Sequence, residues 1–356
     1  MKSNAIHCII PPYMLEQIIQ NGTVAQRQSY SQTAQLTAQF REQRQQQPAA
    51  EAPQAEQAAG LQRRVYTANH LSTLPGQLVR SEGSPPDADV SVNEAYDGSG
   101  ATYNLYANIY QRNSIDNAGM ILDSTVHYQQ GYDNAFWNGQ QMVYGDGDED
   151  LPADQRLFNR FTIAIDVIGH ELTHGVTQYE GGLIYSGQPG ALNESFSDVF
   201  GSLVKQYNQG QTSAAADWII GEGLFTANVH GVGIRSMKAP GTAYDDPVLG
   251  KDPQPGHMND YVNTTSDNGG VHINSGIPNK AFYLAAAEIG GFAWEKAGRI
   301  WYITLRDRIQ PNSSFQDAAN LTYTVAGELY GQISLEQQAV QHAWAGVGIT
   351  VGQSGG

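Results

Sequence analysis

Apolar residues recur at helical spacing over residues 161–178, where Phe161, Ile165, Ile168, Leu172 and Val176 fall on one face and predict a buried helix ended by Gly181 and Gly182. A second run of that period, residues 191–207, turns Leu192, Phe196, Val199 and Leu203 toward a core. From residue 273 onward, AFYLAAAEIGG, AWEKAGRIWYITLRDRI, SFQDAANLTYTVAGELYG and SLEQQAVQHAWAGVG predict three or four further helices. Upstream the texture is different. Between residues 61 and 160, β-type runs such as RVYTA, ATYNLYANIY, MILDSTVHY and QMVYG alternate with Gly, Pro, Asp and Asn. They predict a twisted, largely antiparallel sheet. Residues 208–270 show almost no period, as expected of loops that surround a site or hold ions. The pattern defines an α+β protein: a mainly antiparallel β region over 61–160, a central helix over 161–180, a mainly α-helical lobe over 181–356, and a cleft between the two lobes.

The first sixty residues belong to neither lobe. Residues 1–25 hold a short apolar block around Pro11, Pro12 and Tyr13, followed by two predicted helical turns at MLEQIIQ. Residues 26–60 carry eleven glutamines between Gln26 and Gln57 and only Tyr30 and Phe40 as aromatics. That is too little apolar surface to offset chain entropy, so we expect a flexible linker, with at most a fluctuating helix over 26–45 and cleavage within 47–64. A tether of this kind raises the leader's effective concentration at any surface of the same chain, so that modest contacts suffice to dock it.

Charge follows the same division. Residues 1–59 hold four basic and four acidic groups, so all of the net −16 sits on residues 60–356. An acidic balance over residues 60–356 argues against nucleic acid and anionic membrane surfaces as partners. Cys8 is the only cysteine, which excludes an intrachain disulfide. No transmembrane run occurs, and the apolar stretch at residues 1–10 is cut by Asn4 and His7, unlike a secretory leader. A cytoplasmic precursor or leaderless secretion is the expectation.

Chemistry concentrates on the first apolar helix. His170 and His174 lie one turn apart with Glu171 beside the first, an HExxH pattern that places two imidazoles and a general base on one face. Catalytic zinc takes three protein ligands and leaves a fourth position for water. Glu194, on the next predicted helix within NESFSD, is the candidate third ligand. Asp198, one turn later, can take the second ring N–H of His170.

HELTH at 170–174, GLIY at 182–185, NESFSD at 193–198, NAFWNG at 134–139 and DNGGVHINSGIPNKAFY at 267–283 together resemble the thermolysin-like zinc endopeptidases, over residues 61–350. The short leader with Pro11-Pro12-Tyr13 is similar to that of the protealysin-like subgroup. The resemblance implies a zinc-dependent endopeptidase made as a zymogen, its leader a short inhibitory propeptide, and acting on peptides and proteins. It implies that zinc would acidify a water, that Glu171 would relay its proton to the leaving amine, and that Tyr185 and His272, the latter held by Asp267, would stabilise the oxyanion. It implies substrate lying along the NAFW edge against Asn134 and Ala135, with Arg235 on a substrate carbonyl. Phe158, Phe161, Val167, Ile220, Leu224 and Ile234 match positions lining a pocket for an apolar residue after the cleaved bond. Phe161 replaces an expected leucine and makes that pocket shallower.

One departure from the family pattern, and separately the lone cysteine, generate hypotheses. Secreted relatives hold two calcium ions with carboxylates at positions matching Asp166, Asp217 and Glu222, but Lys205 and Ile219 replace two other ligands here. The double calcium site is therefore expected to be lost, with calcium elsewhere left open. Cys8 is either a core thiol of the leader or a latch whose thiolate takes the open zinc position. Rival functions are weaker. An aminopeptidase needs an acidic anchor for a free amine, a silent zinc-binding interaction protein would have lost Glu171 or a ligand, and a structural zinc site would close its fourth position with Cys or His. A protein inhibitor remains a conceivable further partner.

Overall fold

A computed structural model of the 356-residue chain describes residues 7–46 and 57–352. The leader begins with strand β1 (His7–Cys8) and helix α1 (Pro12–Asn21), whose first turn accepts Pro12 because no intrahelical donor is needed there. Met14, Leu15 and Ile18 form the buried face of α1.

Residues 26–46 are not a flexible linker. They belong to helix α2 (Val24–Gln46). Thr23 and Gln26 start it reciprocally: the Thr23 backbone N–H donates to Gln26 Oε1 at 2.8 Å, and the Gln26 N–H donates to Thr23 Oγ1 at 3.3 Å. Its packed positions, Gln26, Tyr30, Thr33 and Thr37, follow the helical period with polar side chains. A pattern of hydrophobic positions cannot see such a face. The expected cleavage region at 47–64 falls mostly on residues 47–56, outside the described residues.

The sheet is built from β2 (Arg63–Thr67), β3 (Gln77–Ser81), β4 (Leu122–Val126), β5 (Ala135–Trp137) and β6 (Met142–Tyr144), with helix α3 (Val90–Tyr110) between β3 and β4. Its order is β1-β5-β6-β4-β2-β3. The β2–β4 and β4–β6 pairs are parallel, so the sheet is mixed rather than largely antiparallel. The ATYNLYANIY run, expected as a strand, is the C-terminal half of α3. Asp89 caps that helix by accepting the Ser91 N–H at 2.8 Å, and Val92, Ala95, Ser99, Thr102, Tyr106 and Tyr110 bury one helical face. Helical burial outweighs the strand preference of its tyrosines and isoleucine.

The central helix α4 (Ile165–Tyr179) follows a 3-10 turn at Phe161–Ile163 and lies antiparallel to α5 (Gly187–Gln209). Their close crossing depends on Gly201, where an added Cβ would stand 2.4 Å from the Asp166 carbonyl oxygen and 3.0 Å from the His170 nitrogen. Four short strands pair beyond α5: β7 (Ile219–Ile220) with β8 (Arg235–Ser236), and β9 (Asp245–Asp246) with β10 (Gly250–Lys251). Helices α6 (Asp267–Asn274), α7 (Gly276–Ile289), α8 (Ala297–Asp307), α9 (Phe315–Tyr330) and α10 (Leu335–Gly346) complete the second lobe. Among the described residues no helix is long and apolar enough to cross a membrane.

Candidate active site

Three buried side chains converge where α4 crosses α5: His170 and His174 from one helix, Glu194 from the other, with ligand atoms within 4.8 Å of one another. The two Nε2 atoms stand 3.0 Å apart, and Glu194 oxygens lie 3.5 and 3.6 Å from them. The opposite ring nitrogens are held from α5. His170 Nδ1 donates to Asp198 Oδ1 at 2.8 Å, and His174 Nδ1 donates to Asn193 Oδ1 at 2.9 Å, with Ser197 Oγ at 3.0 Å. In those tautomers both Nε2 lone pairs face one point, an arrangement that repels without a cation and fits zinc. Asn193 had escaped sequence analysis, although it opens the NESFSD block.

Asp198 also accepts both Arg235 Nε and NH2 at 2.8 Å and Asn279 Nδ2 at 2.8 Å. Burial pushes its carboxyl upward, but the Arg235 charge and the His170 hydrogen bond outweigh this and hold it well below the usual range. It remains an anion suited to orient His170.

Glu171 faces the same point from the substrate side. Its Oε2 accepts the Trp137 N–H at 3.1 Å, while buried Oε1 has no hydrogen-bond partner. Burial, then the neighbouring Glu194 charge, raise the Glu171 carboxyl well above its ordinary value. Across the cleft Tyr185 OH donates to Glu194 Oε1 and stands 3.2 Å from His272 Nε2. Left-handed backbone at Asn268, Gly269 and Gly270 turns α6 so that Asp267 binds both His272 Nδ1, at 2.6 Å, and the His272 N–H, at 2.8 Å. Burial opposes protonation of His272, yet Asp267 and Glu194 raise its pKa.

The sheet edge at β5 already carries a strand, and it is the chain's own leader. Ile9 N–H donates to the Ala135 carbonyl at 3.2 Å, and Ile10 N–H donates to Asn134 Oδ1 at 3.0 Å. Asn134 Nδ2 donates back to the Ile10 carbonyl at 3.3 Å, and Arg235 NH1 reaches the Ile9 carbonyl at 3.4 Å. Of the two readings of Cys8, the core thiol fits its surroundings and the zinc latch does not. Side chains alternate along a strand, and Cys8 is a buried thiol clustered with Tyr128, Tyr132, Phe136 and Val143, away from the three convergent ligands. The leader meets the cleft with backbone. Phe158, Phe161, Val167, Ile220, Leu224 and Ile234 are all buried nearby in the main core, with Phe158 and Phe161 stacked at 5.9 Å.

Helix α2 completes the docking through hydroxyls. Tyr30 OH donates to Asp148 Oδ2 at 2.9 Å, Ser29 Oγ to Asp133 Oδ2 at 2.8 Å, and Thr33 Oγ1 to the Gly131 carbonyl at 3.2 Å. Burial raises the Asp148 carboxyl to about 6, and raises Asp133 well above its ordinary value. Farther from the cleft, Lys205 Nζ lies 2.6 Å from Asp217, 2.8 Å from Glu222 and 3.7 Å from Asp166.

Two histidines and a glutamate with outer carboxylate and amide partners, an adjacent buried carboxylate and a strand-accepting edge define a zinc metallopeptidase. The comparisons agree. Residues 25–178 match the family model described as thermolysin metallopeptidase, catalytic domain, and residues 181–349 match its alpha-helical domain. An extracellular metalloprotease of Pectobacterium carotovorum subsp. carotovorum is 53% identical over 355 residues, covering 99% of each chain. A thermolysin of Alicyclobacillus acidocaldarius is 39% identical over 294 residues, 80% of this chain and 50% of that one. The solved precursor of protealysin, a metalloproteinase from Serratia proteamaculans, superposes with a TM-score of 0.87 at 51% identity, covering 97% of this chain and 100% of that one. The chain belongs to the thermolysin-like metallopeptidases, of the protealysin type, and is a metalloendopeptidase in precursor form.

Proposed function

We propose that the matured enzyme cleaves internal peptide bonds before apolar residues, and that the leader blocks this activity by occupying the substrate edge. The observation that carries the reading is the partnerless Glu171 Oε1, buried beside the convergent His170, His174 and Glu194. Zinc held by those three residues supplies a Lewis acid for the scissile carbonyl and acidifies water toward neutral pH. Glu171, its Oε2 fixed by Trp137, takes the proton of the attacking water and passes it to the leaving amine. Tyr185 OH and the His272 imidazolium, stabilised by Asp267, donate to the developing oxyanion.

Asn134, Ala135 and Arg235 hold substrate backbone as they hold Ile9 and Ile10 of the leader. By that correspondence Ile9 stands where the residue after the cleaved bond would stand. Phe158, Phe161, Val167, Ile220, Leu224 and Ile234, buried in the same core cluster as Ile9, favour an apolar side chain there, with Phe161 limiting depth. Lys205 takes the place of calcium charge among Asp166, Asp217 and Glu222, which supports loss of the double calcium site.

Incubating the purified precursor with a denatured protein, with and without a zinc chelator, and mapping every new terminus tests the reading. Internal cuts preceding apolar residues, all abolished by chelation, are expected, together with cleavage of the leader within 47–64. Charged residues after the cuts, or cleavage resistant to chelation, would refute the reading. Stepwise release of N-terminal residues would favour an aminopeptidase.

A further inference from the structure

We propose that His70, His127 and Asp146 form a second, solvent-accessible site for a divalent transition-metal ion, separate from the catalytic position. The three residues come together because β2, β4 and β6 are adjacent and parallel, and each supplies one ligand just beyond its C-terminal end. Ligands commonly bind outside the carboxyl ends of parallel strands. The ligand atoms of the trio all lie within 4.8 Å of one another.

The donor geometry is already close to that of a bound ion. Asp146 Oδ1 lies 2.8 Å from His127 Nδ1, and Asp146 Oδ2 lies 3.4 Å from His70 Nδ1. Neighbouring donors around a tetrahedral zinc, each about 2.1 Å from the ion, stand roughly 3.4 Å apart. Binding would displace the proton that His127 Nδ1 shares with Asp146 and release it to solvent. The far side of the His127 ring is prepared for this. Its Nε2 donates to Asp89 Oδ2 at 2.6 Å, the carboxylate–histidine relation that orients metal-binding imidazoles and that Asp198 makes with His170 in the catalytic site.

Backbone and surface point the same way. His70 and His127 both adopt left-handed backbone, with φ of 60° and 54°, and the His70 N–H donates to the His127 carbonyl at 2.9 Å. That conformation is uncommon outside glycine, and here it brings both rings to one side. The trio opens into a cleft of about 420 Å³ that is also lined by Glu149 and Asp150, so water and acidic side chains can complete the coordination. Two imidazoles and one carboxylate select zinc, nickel or copper over calcium or magnesium.

The site has a structural role available to it. His127 directly follows β4 and Asp146 closely follows β6, so the segment between them contains β5, the substrate edge, and the loop contacted by Ser29 and Thr33 of the leader. An ion there would tie together the two ends of that hairpin.

Equilibrium dialysis of the full-length precursor against zinc, followed by metal analysis, tests the proposal. The parent chain is expected to bind a second equivalent beyond the catalytic one. His70→Ala, at a side chain 57% exposed, should lose that equivalent and keep the first. Asp89→Asn retains a capping residue for α3 and should weaken the second equivalent by about tenfold or more. With zinc retained at the catalytic position and copper(II) added, electron paramagnetic resonance should show coupling to two imidazole nitrogens in the parent, and that signal should be absent from His70→Ala. A single equivalent in the parent, or a second one indifferent to His70→Ala, would overturn the proposal and leave His127 as an imidazole clamped between two carboxylates.

Discussion

Asn193 shows what a single outer residue contributes. His174 offers Nε2 to a metal only while its Nδ1 proton is taken up, and Asn193 Oδ1 accepts it at 2.9 Å. Asn193→Ala is therefore expected to lower zinc affinity by about 10- to 100-fold, with Ser197 retaining part of the interaction. Competition with a chromophoric chelator measures this, and an unchanged affinity would assign the role to Ser197 alone. Glu171 gives the complementary case. Glu171→Gln keeps the Trp137 contact but removes the proton acceptor, so zinc content should stay constant while kcat falls by about 10²- to 10⁴-fold. Substantial zinc loss in that variant would mean that Glu171 supports the site structurally.

At the scale of elements, α2 is where hydrophobic patterning failed and hydrogen bonding took over. Its docked face follows the helical period with Gln26, Tyr30 and Thr33, which read as solvent-exposed by composition yet are buried against the sheet lobe. Tyr30→Phe leaves Asp148 without its hydroxyl donor and should weaken leader docking by about 1–3 kcal/mol. Faster leader release during maturation would register the change. Docking is also expected to be linked to protons. Asp133 is buried beneath Ser29, and burial and then the nearby Asp148 charge raise its carboxyl above the value it would have in water, outweighing the Ser29 hydrogen bond, which lowers it. An acid with a raised pKa in the docked state stabilises that state at low pH and loses the contribution as pH rises through the raised value. Leader release should accelerate with rising pH, and Asp133→Asn should flatten that profile; an identical profile in the variant would remove Asp133 from the linkage. The helical α3 teaches a related lesson, because Asp89 capping and burial against α4 decide a segment whose residues favour strands.

Across the whole molecule, Lys205 joins the central helices to the loop at 217–222, where the family's secreted members use ions. Lys205→Met would leave Asp166 and Asp217 without the ammonium, and should lower stability by less than the about 3–5 kcal/mol of a fully buried pair, because Glu222 and Asp217 reach solvent. Any response of the unfolding midpoint to added calcium, measured by calorimetry, should be the same in the parent and in Asp217→Asn. A calcium-dependent rise that Asp217→Asn abolishes would restore the double ion site.

The catalytic constellation was legible because its parts are local. HExxH spans one helical turn, Glu194 and Asp198 share the next helix, and apolar periodicity announced both helices. Periodicity and motif spacing are properties of neighbouring residues, so sequence alone determined the two zinc-ligating histidines, the α+β class and the presence of a leader, and pointed to Glu194 as third ligand and Glu171 as the proposed base. Tertiary structure alone decided what depends on contacts between distant segments: the parallel pairing of β2, β4 and β6, the polar docking of α2, and the seat of Ile9 and Ile10 on β5. Cys8 shows why. Its chemistry suited a metal latch, but the strand register turned its side chain into an apolar cluster and gave the cleft to the backbone.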